Sequence, residues 1–204
     1  MDLAVQDRLF NWETGRWLVD SKAPLQRALF YTGPKVGIIL FGVWCLLRFA
    51  QTFGQGEPLK KRLSRRKRLL TVILSILVVP TVVAQLKART NMYCPSQALR
   101  YGGSVPYVKL FESYPKECRS CDSGRCFPGG HASGGFALMS LGFLFRRRRH
   151  AAIGFGGGMA AGWTMGGYQM LKGAHYLSHT VVTMILAWVL IQILGWIASA
   201  VCQP

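Results

Sequence analysis

KKRLSRRKRLLTVILSILVVPTVVAQLK, Lys60 to Lys87, sets seven basic residues against a stretch with no charge from Leu69 to Leu86. Wound as a helix, those 18 uncharged residues rise about 27 Å, close to the roughly 30 Å hydrocarbon core of a bilayer. Basic residues massed beside an apolar run mark the cytoplasmic end of a membrane span, and Pro80 predicts a kink within it. Arg146-Arg-Arg-Arg149 repeats the device, closing the apolar run His131 to Phe145.

Working outward, the chain of 204 residues is 50% hydrophobic, which suits a single membrane domain. Its net charge of +17 lies densest beside spans, which points to anchoring at anionic lipid and away from nucleic acid. Met1 to Asp20 is polar and holds Asp2, Asp7, Glu13 and Asp20, unlike a cleavable signal peptide. Its tryptophans predict an interfacial segment over residues 1–34, followed by a membrane domain over 35–204. The spans expected are Leu29 or Val36 to Phe49, Leu69 to Leu86, His131 to Phe145, Ala151 to Met170 and Thr180 to Val201. The fold class is therefore all-α, a polytopic transmembrane helical bundle of five to six spans. Gly154, Gly158, Gly162 and Gly166 recur every four residues on one face of the fourth span, so another helix of the bundle can approach closely there.

With both arginine-rich loops on one side, the loop 87–130 and the turn 169–179 share the other. Four of the six cysteines, Cys94, Cys118, Cys121 and Cys126, lie in that outer loop, where disulfides are favoured and three pairings are open. On the same side stand Lys87, His131 and His175, with His179 one helical turn beyond His175. Pro128-Gly-Gly-His131 opens a span with the backbone amides of Gly129 and Gly130 bare, which makes an anion site beside a proton donor. Lys87 can hold a phosphate's charge, His175 can attack phosphorus, His131 can protonate the departing oxygen, and His179 can orient His175.

These residues fall into Lys87-x6-Cys94-Pro95, Pro128-Gly-Gly-His131 and Gln169-x5-His175-x3-His179. In order and spacing they resemble the motifs K-x6-R-P, P-S-G-H and S-R-x5-H-x3-D of the type 2 phosphatidic acid phosphatase superfamily, the membrane lipid phosphatases related to vanadium haloperoxidases. The resemblance implies a phosphohistidine mechanism with no metal or other cofactor: His175 is the nucleophile, His131 the acid, and Lys87 a phosphate ligand. It also implies a phosphorylated lipid as substrate: lipid A, undecaprenyl (di)phosphate or a glycerolipid phosphate. Cys94, Gly129, Gln169 and His179 stand where the family has Arg, Ser, Arg and Asp, and no Asp or Glu follows Asp122. Arg89, Arg100, Arg125 and Lys172 are candidates to restore the missing positive charge, and His179 to replace the carboxylate. A bacterial subset of the superfamily resembles this variant pattern, which places the protein in an inner membrane with its active site facing the periplasm. Alternative readings are a lipid-to-lipid phosphotransferase, an inert lipid-binding relative, a zinc protein using His175, His179 and loop cysteines, and a thiol oxidoreductase using Cys118 and Cys121.

Overall fold

The computed structural model describes residues 1–20, 23–54, 56, 58–110, 112, 114–115 and 124–202. The chain is an all-α bundle, with one minimal hairpin among the described residues. Helix α1 (Asp2–Leu9) leads into paired strands β1 (Phe10–Asn11) and β2 (Arg16–Trp17), with Phe10 opposite Trp17. The Asn11 side chain closes the turn between them, accepting from the amides of Glu13 and Thr14 at 3.0 Å each. Helices α2 (Pro24–Arg27) and α3 (Gly33–Ala50) form one rod with the wider turn Ala28–Thr32 between them. Pro34 has no N–H and its ring displaces the carbonyl four residues back, and the wide turn absorbs that defect. The first span therefore runs from Pro24 to Phe53, through the boundary expected at residue 34, because Pro24 is well suited to the first helical position.

Helix α4 (Leu59–Arg89) carries the basic cluster and the apolar run as one continuous helix through Pro80. Its buried hydroxyls are satisfied locally: Thr71 and Ser75 donate to the carbonyls of Lys67 and Thr71 at 2.9 and 2.7 Å. The third predicted span is shorter as an α-helix than expected. Helix α5 (Gly130–Ala137) continues as 3₁₀ turns over Leu138–Leu144. The 3₁₀ geometry rises about 2.0 Å per residue against 1.5 Å, so the 15 residues reach roughly 26 Å and not 22 Å. Helices α6 (Arg148–Leu171) and α7 (Leu177–Val201) complete the bundle. Among the described residues, three helices are long and apolar enough to cross a membrane: Pro24–Phe53, Leu59–Arg89 and Leu177–Val201.

The core lies where α4, α5, α6 and α7 meet, around Val79, Phe136, Met139, Ala187 and Ile191. The glycine stripe of α6 makes this possible. A methyl on Gly135 would stand 2.6 Å from the Gly162 backbone, and one on Gly154 would stand 2.9 Å from the Leu141 carbonyl. The Phe136 ring lies against Gly162 itself. The stripe thus packs inside the bundle, as its spacing predicts. Outward faces remain apolar, with Leu40, Trp44 and Leu47 on α3 and Trp188, Ile193 and Trp196 on α7 exposed, as lipid contact requires.

Candidate active site

His175 sits in the tight connection between α6 and α7. Gly173 turns the chain there with φ of +71°, a conformation that favours glycine, and the Trp17 indole fills the space a side chain would need. The amide of Ser96 donates to the Gly173 carbonyl at 2.9 Å, tying the connection to the outer loop. His175 is 5% exposed, and its Nδ1 lies 3.5 Å from Cys126 Sγ, which leaves Nε2 as the free nitrogen. Burial, then the neighbouring His179 and the charges of Lys87 and Lys172, hold His175 well below the usual histidine range. The ring is therefore neutral near pH 7, the form that can act as a nucleophile.

Cys126 is bonded to Cys94, with Cα atoms 5.2 Å apart, so the first motif is stitched to the entry of the second. The amide of Cys126 donates to the Met92 carbonyl at 2.8 Å, and Thr90 Oγ1 donates to the Phe127 carbonyl. Cys118 and Cys121, the other expected partners, lie outside the described residues. Cys126, His175 and His179 place their ligand atoms within 4.8 Å of one another. With its sulfur bonded to Cys94, Cys126 offers no thiolate, and the trio lacks the donor set of a structural zinc site.

His131 occupies the first turn of α5. Its ring stacks on Tyr31 at 3.8 Å between centroids and 10° between planes, and Nε2 lies 3.2 Å from the Tyr31 carbonyl. A carbonyl only accepts, which assigns the proton in this contact to Nε2. Lys87, in the last turn of α4, brings Nζ within 4.0 Å of where a Gly130 side chain would begin, so glycine at 130 leaves the ammonium its place. Electrostatically Lys87 acts on His131, His175 and His179 alike. Lys172 lies 5.2 Å from the ring centres of both Tyr31 and Tyr168, half-buried, and burial lowers its pKa ahead of the repulsion from Arg27.

Three expected details take a different form. The Gly129 amide is not bare: it donates to Thr183 Oγ1 at 2.7 Å, and that hydroxyl donates to the His179 carbonyl at 2.6 Å. Bare amides at this helix start belong to the next residues, since Ser133 is the first to bond back, to the Gly129 carbonyl at 3.2 Å. Arg100 is committed elsewhere, gripping the Asp7 carboxylate with two bonds of 2.8 Å, while Tyr101 donates to the same group at 2.9 Å. These bonds, Arg100's foremost, pull the Asp7 pKa below its ordinary value. Arg89 and Arg125 are exposed.

His179 does not hydrogen-bond His175. Their ring centres are 5.8 Å apart, and the edges of Phe127 and Tyr176 enclose the His179 ring at 5.2 and 5.3 Å. Among the described residues, His179 Nδ1 is buried without a partner. The spacing of four predicted one helical face, but α7 begins at Leu177, so His175 precedes the helix that carries His179.

The segment is held instead from α1, which the motifs did not reveal. Gln6, fully buried, donates its side-chain Nε2 to the His175 carbonyl at 2.5 Å. The Asp2 carboxylate accepts from the Ser178 amide at 2.9 Å and from its hydroxyl at 2.5 Å. Asp2 and Gln6 are four residues apart and so share a face of α1, an internal clue that only a known partner makes meaningful. Tyr31 and Lys35 were likewise missed. With Ile38, Ile76, Gly130 and His131 they line a cavity of about 460 Å³ between α3, α4 and α5, apolar along its length and polar at the histidine end.

The sequence profile of the PAP2 superfamily matches residues 68–201, from the end of the basic cluster to the last turn of α7. The chain belongs to the PAP2 superfamily, a family of phosphatase-type and related activities. No curated protein and no solved structure matches the chain.

Proposed function

We propose that this protein is a membrane lipid phosphatase working through a phosphohistidine. The lipid part of this reading rests on the apolar cavity that ends at Tyr31, Lys35 and His131: it suits an acyl or prenyl chain whose phosphate lies among the histidines. His175 Nε2 attacks phosphorus and forms the P–N bond as the bond to the lipid oxygen breaks. Protonated His131 gives its proton to that oxygen, releasing the lipid alcohol. Water then attacks the phosphohistidine, losing a proton to His131, and phosphate leaves with His175 restored. Lys87, Lys172 and the amides at the start of α5 stabilise the phosphoryl oxygens.

Gln6 and Asp2 are positioning residues in this scheme. By fixing the His175 carbonyl and the start of α7 they hold the imidazole on course, work that a carboxylate at position 179 would otherwise do. The arginine-rich end faces the cytoplasm and the histidine end the periplasm of a bacterial inner membrane. Charge asymmetry and the Cys94–Cys126 bond, which belongs to an oxidising compartment, support this orientation.

The test is phosphate release by wild type and His175→Ala from lipid A, undecaprenyl phosphate, undecaprenyl diphosphate, phosphatidate and phosphatidylglycerol phosphate. Release from one class by wild type and none by the variant is expected. Equal turnover by the two proteins would overturn the mechanism.

A further inference from the structure

A second cavity, of about 600 Å³, opens at the other end of the bundle. Phe41 and Trp44 of α3, Leu69 of α4 and Gly157 of α6 form apolar walls, while Arg48 and Arg68 stand among its lining. Arg68 is fixed in place, donating to the carbonyls of Leu144 and Ser64 at 3.0 Å each. It lies within electrostatic range of Arg65 and Arg146. The segments that wall the cavity, residues 33–54, 59–69 and 138–157, contain no Asp or Glu. Positive charge is thus gathered over an apolar cleft with no carboxylate in the walls to offset it.

An occupant must bring negative charge at one end and an apolar body at the other. Depth in the membrane agrees. Arg48 ends the apolar part of α3 and Arg68 begins that of α4, so both stand where headgroups lie, with Trp44 and Leu69 beside the tails. We propose that this cavity binds one anionic phospholipid of the surrounding leaflet, its phosphate on Arg48 and Arg68 and one acyl chain against Phe41, Trp44 and Gly157. The site is separate from the histidines, since Arg68 and Lys87 are 19 residues apart on one helix, about 28 Å along its axis. It bridges α3 to α4 and α6, and α3 is the least buried of the three long apolar helices. The bound lipid therefore acts as a tie that keeps the wall of the catalytic cavity in place.

The proposal does not depend on the phosphatase reading, because its test needs no turnover. Delipidated protein in detergent would be mixed with phosphatidylglycerol or phosphatidylcholine, and lipid retention followed by native mass spectrometry beside thermal unfolding. One phosphatidylglycerol is expected to be retained in preference and to raise the melting temperature more than phosphatidylcholine does. Arg48→Gln and Arg68→Gln should each weaken retention about fivefold. Gly157→Phe keeps every charge, and among the described residues nothing lies within 4 Å of the position its Cβ would take, so it should block the tail without lowering the lipid-free melting temperature. Arg149→Gln, an exposed charge outside the cavity, should leave retention as in wild type. Equal retention of the two lipids, equal protection by inorganic phosphate, an Arg149→Gln loss as large as that of Arg68→Gln, or undiminished retention in Gly157→Phe would each overturn the site.

Discussion

The part of the chain matched to the PAP2 superfamily and the part before it hold themselves together differently. Helix α6 meets α5 and the 3₁₀ turns after it backbone to backbone across glycines, and Phe136 has no exposed surface. The N-terminal third packs through smaller apolar clusters, Cys45 with Leu69, Val72 and Ile73 and Phe10 with Ala98 and Tyr101, and adds polar contacts that reach the outer end: Asp2 on Ser178, Gln6 on His175, Asp7 on Arg100, and the Tyr31 carbonyl on His131. The glycine seam makes the scaffold by close packing, and the polar contacts of α1 aim the groups that the scaffold carries. Damage to the seam should remove the protein, and damage to those polar contacts should remove only its rate.

The largest effect expected is at the nucleophile. His175→Ala should lower phosphate release by about a thousandfold or more while the helical circular dichroism signal persists. Next comes the glycine seam. Gly162→Leu forces a branched side chain into Phe136 and should prevent recovery of folded protein, measured by size-exclusion chromatography, whereas Gly156→Ala on the same helix meets nothing within 4 Å and should be neutral or slightly stabilising. A folded Gly162→Leu protein would break the comparison at its base.

Cys94→Ser removes a cross-link between residues 32 apart, which should cost about 4 kcal/mol of stability, read as a fall in melting temperature. Gln6→Leu and Asp2→Asn should each lower kcat by ten- to a hundredfold with KM little changed and melting temperature nearly that of wild type. If KM rises with kcat unaltered, α1 binds substrate and does not aim His175. The smallest effect is in pH. A histidine depressed on folding binds its proton more readily in the unfolded chain, so its contribution is present above about pH 6.5 and lost as pH falls toward its folded value. The melting temperature should therefore drop on acidification below about pH 6.5, less steeply in His175→Ala.

Much of the scaffold was legible because membrane folding writes itself locally. An arginine cluster beside an apolar run predicted the long helix Leu59–Arg89, and the four-residue repeat of Gly154 to Gly166 predicted the seam. The three motifs likewise brought Lys87, His131 and His175 to one end, since each is fixed by its place on a helix or its edge. What stayed hidden depends on partners far away in sequence. Arg100 reads as a spare cation until Asp7, 93 residues earlier, is seen to hold it. Gln6 carries no signal of its own, because its partner is a backbone carbonyl 169 residues on. His179 misled for a local reason: a spacing of four means one face only when both residues lie within the helix.

The stretched turns Leu138–Leu144 have a consequence for the bilayer itself. Even at roughly 26 Å, the α5 element falls a few ångströms short of an ordinary hydrocarbon core, and Arg146 to Arg149 follow almost at once. If this element crosses the membrane, those guanidinium groups should draw headgroups toward the midplane, and the leaflet around them should dip. Membranes that are thin or easily bent should then accommodate the protein at the lowest elastic cost.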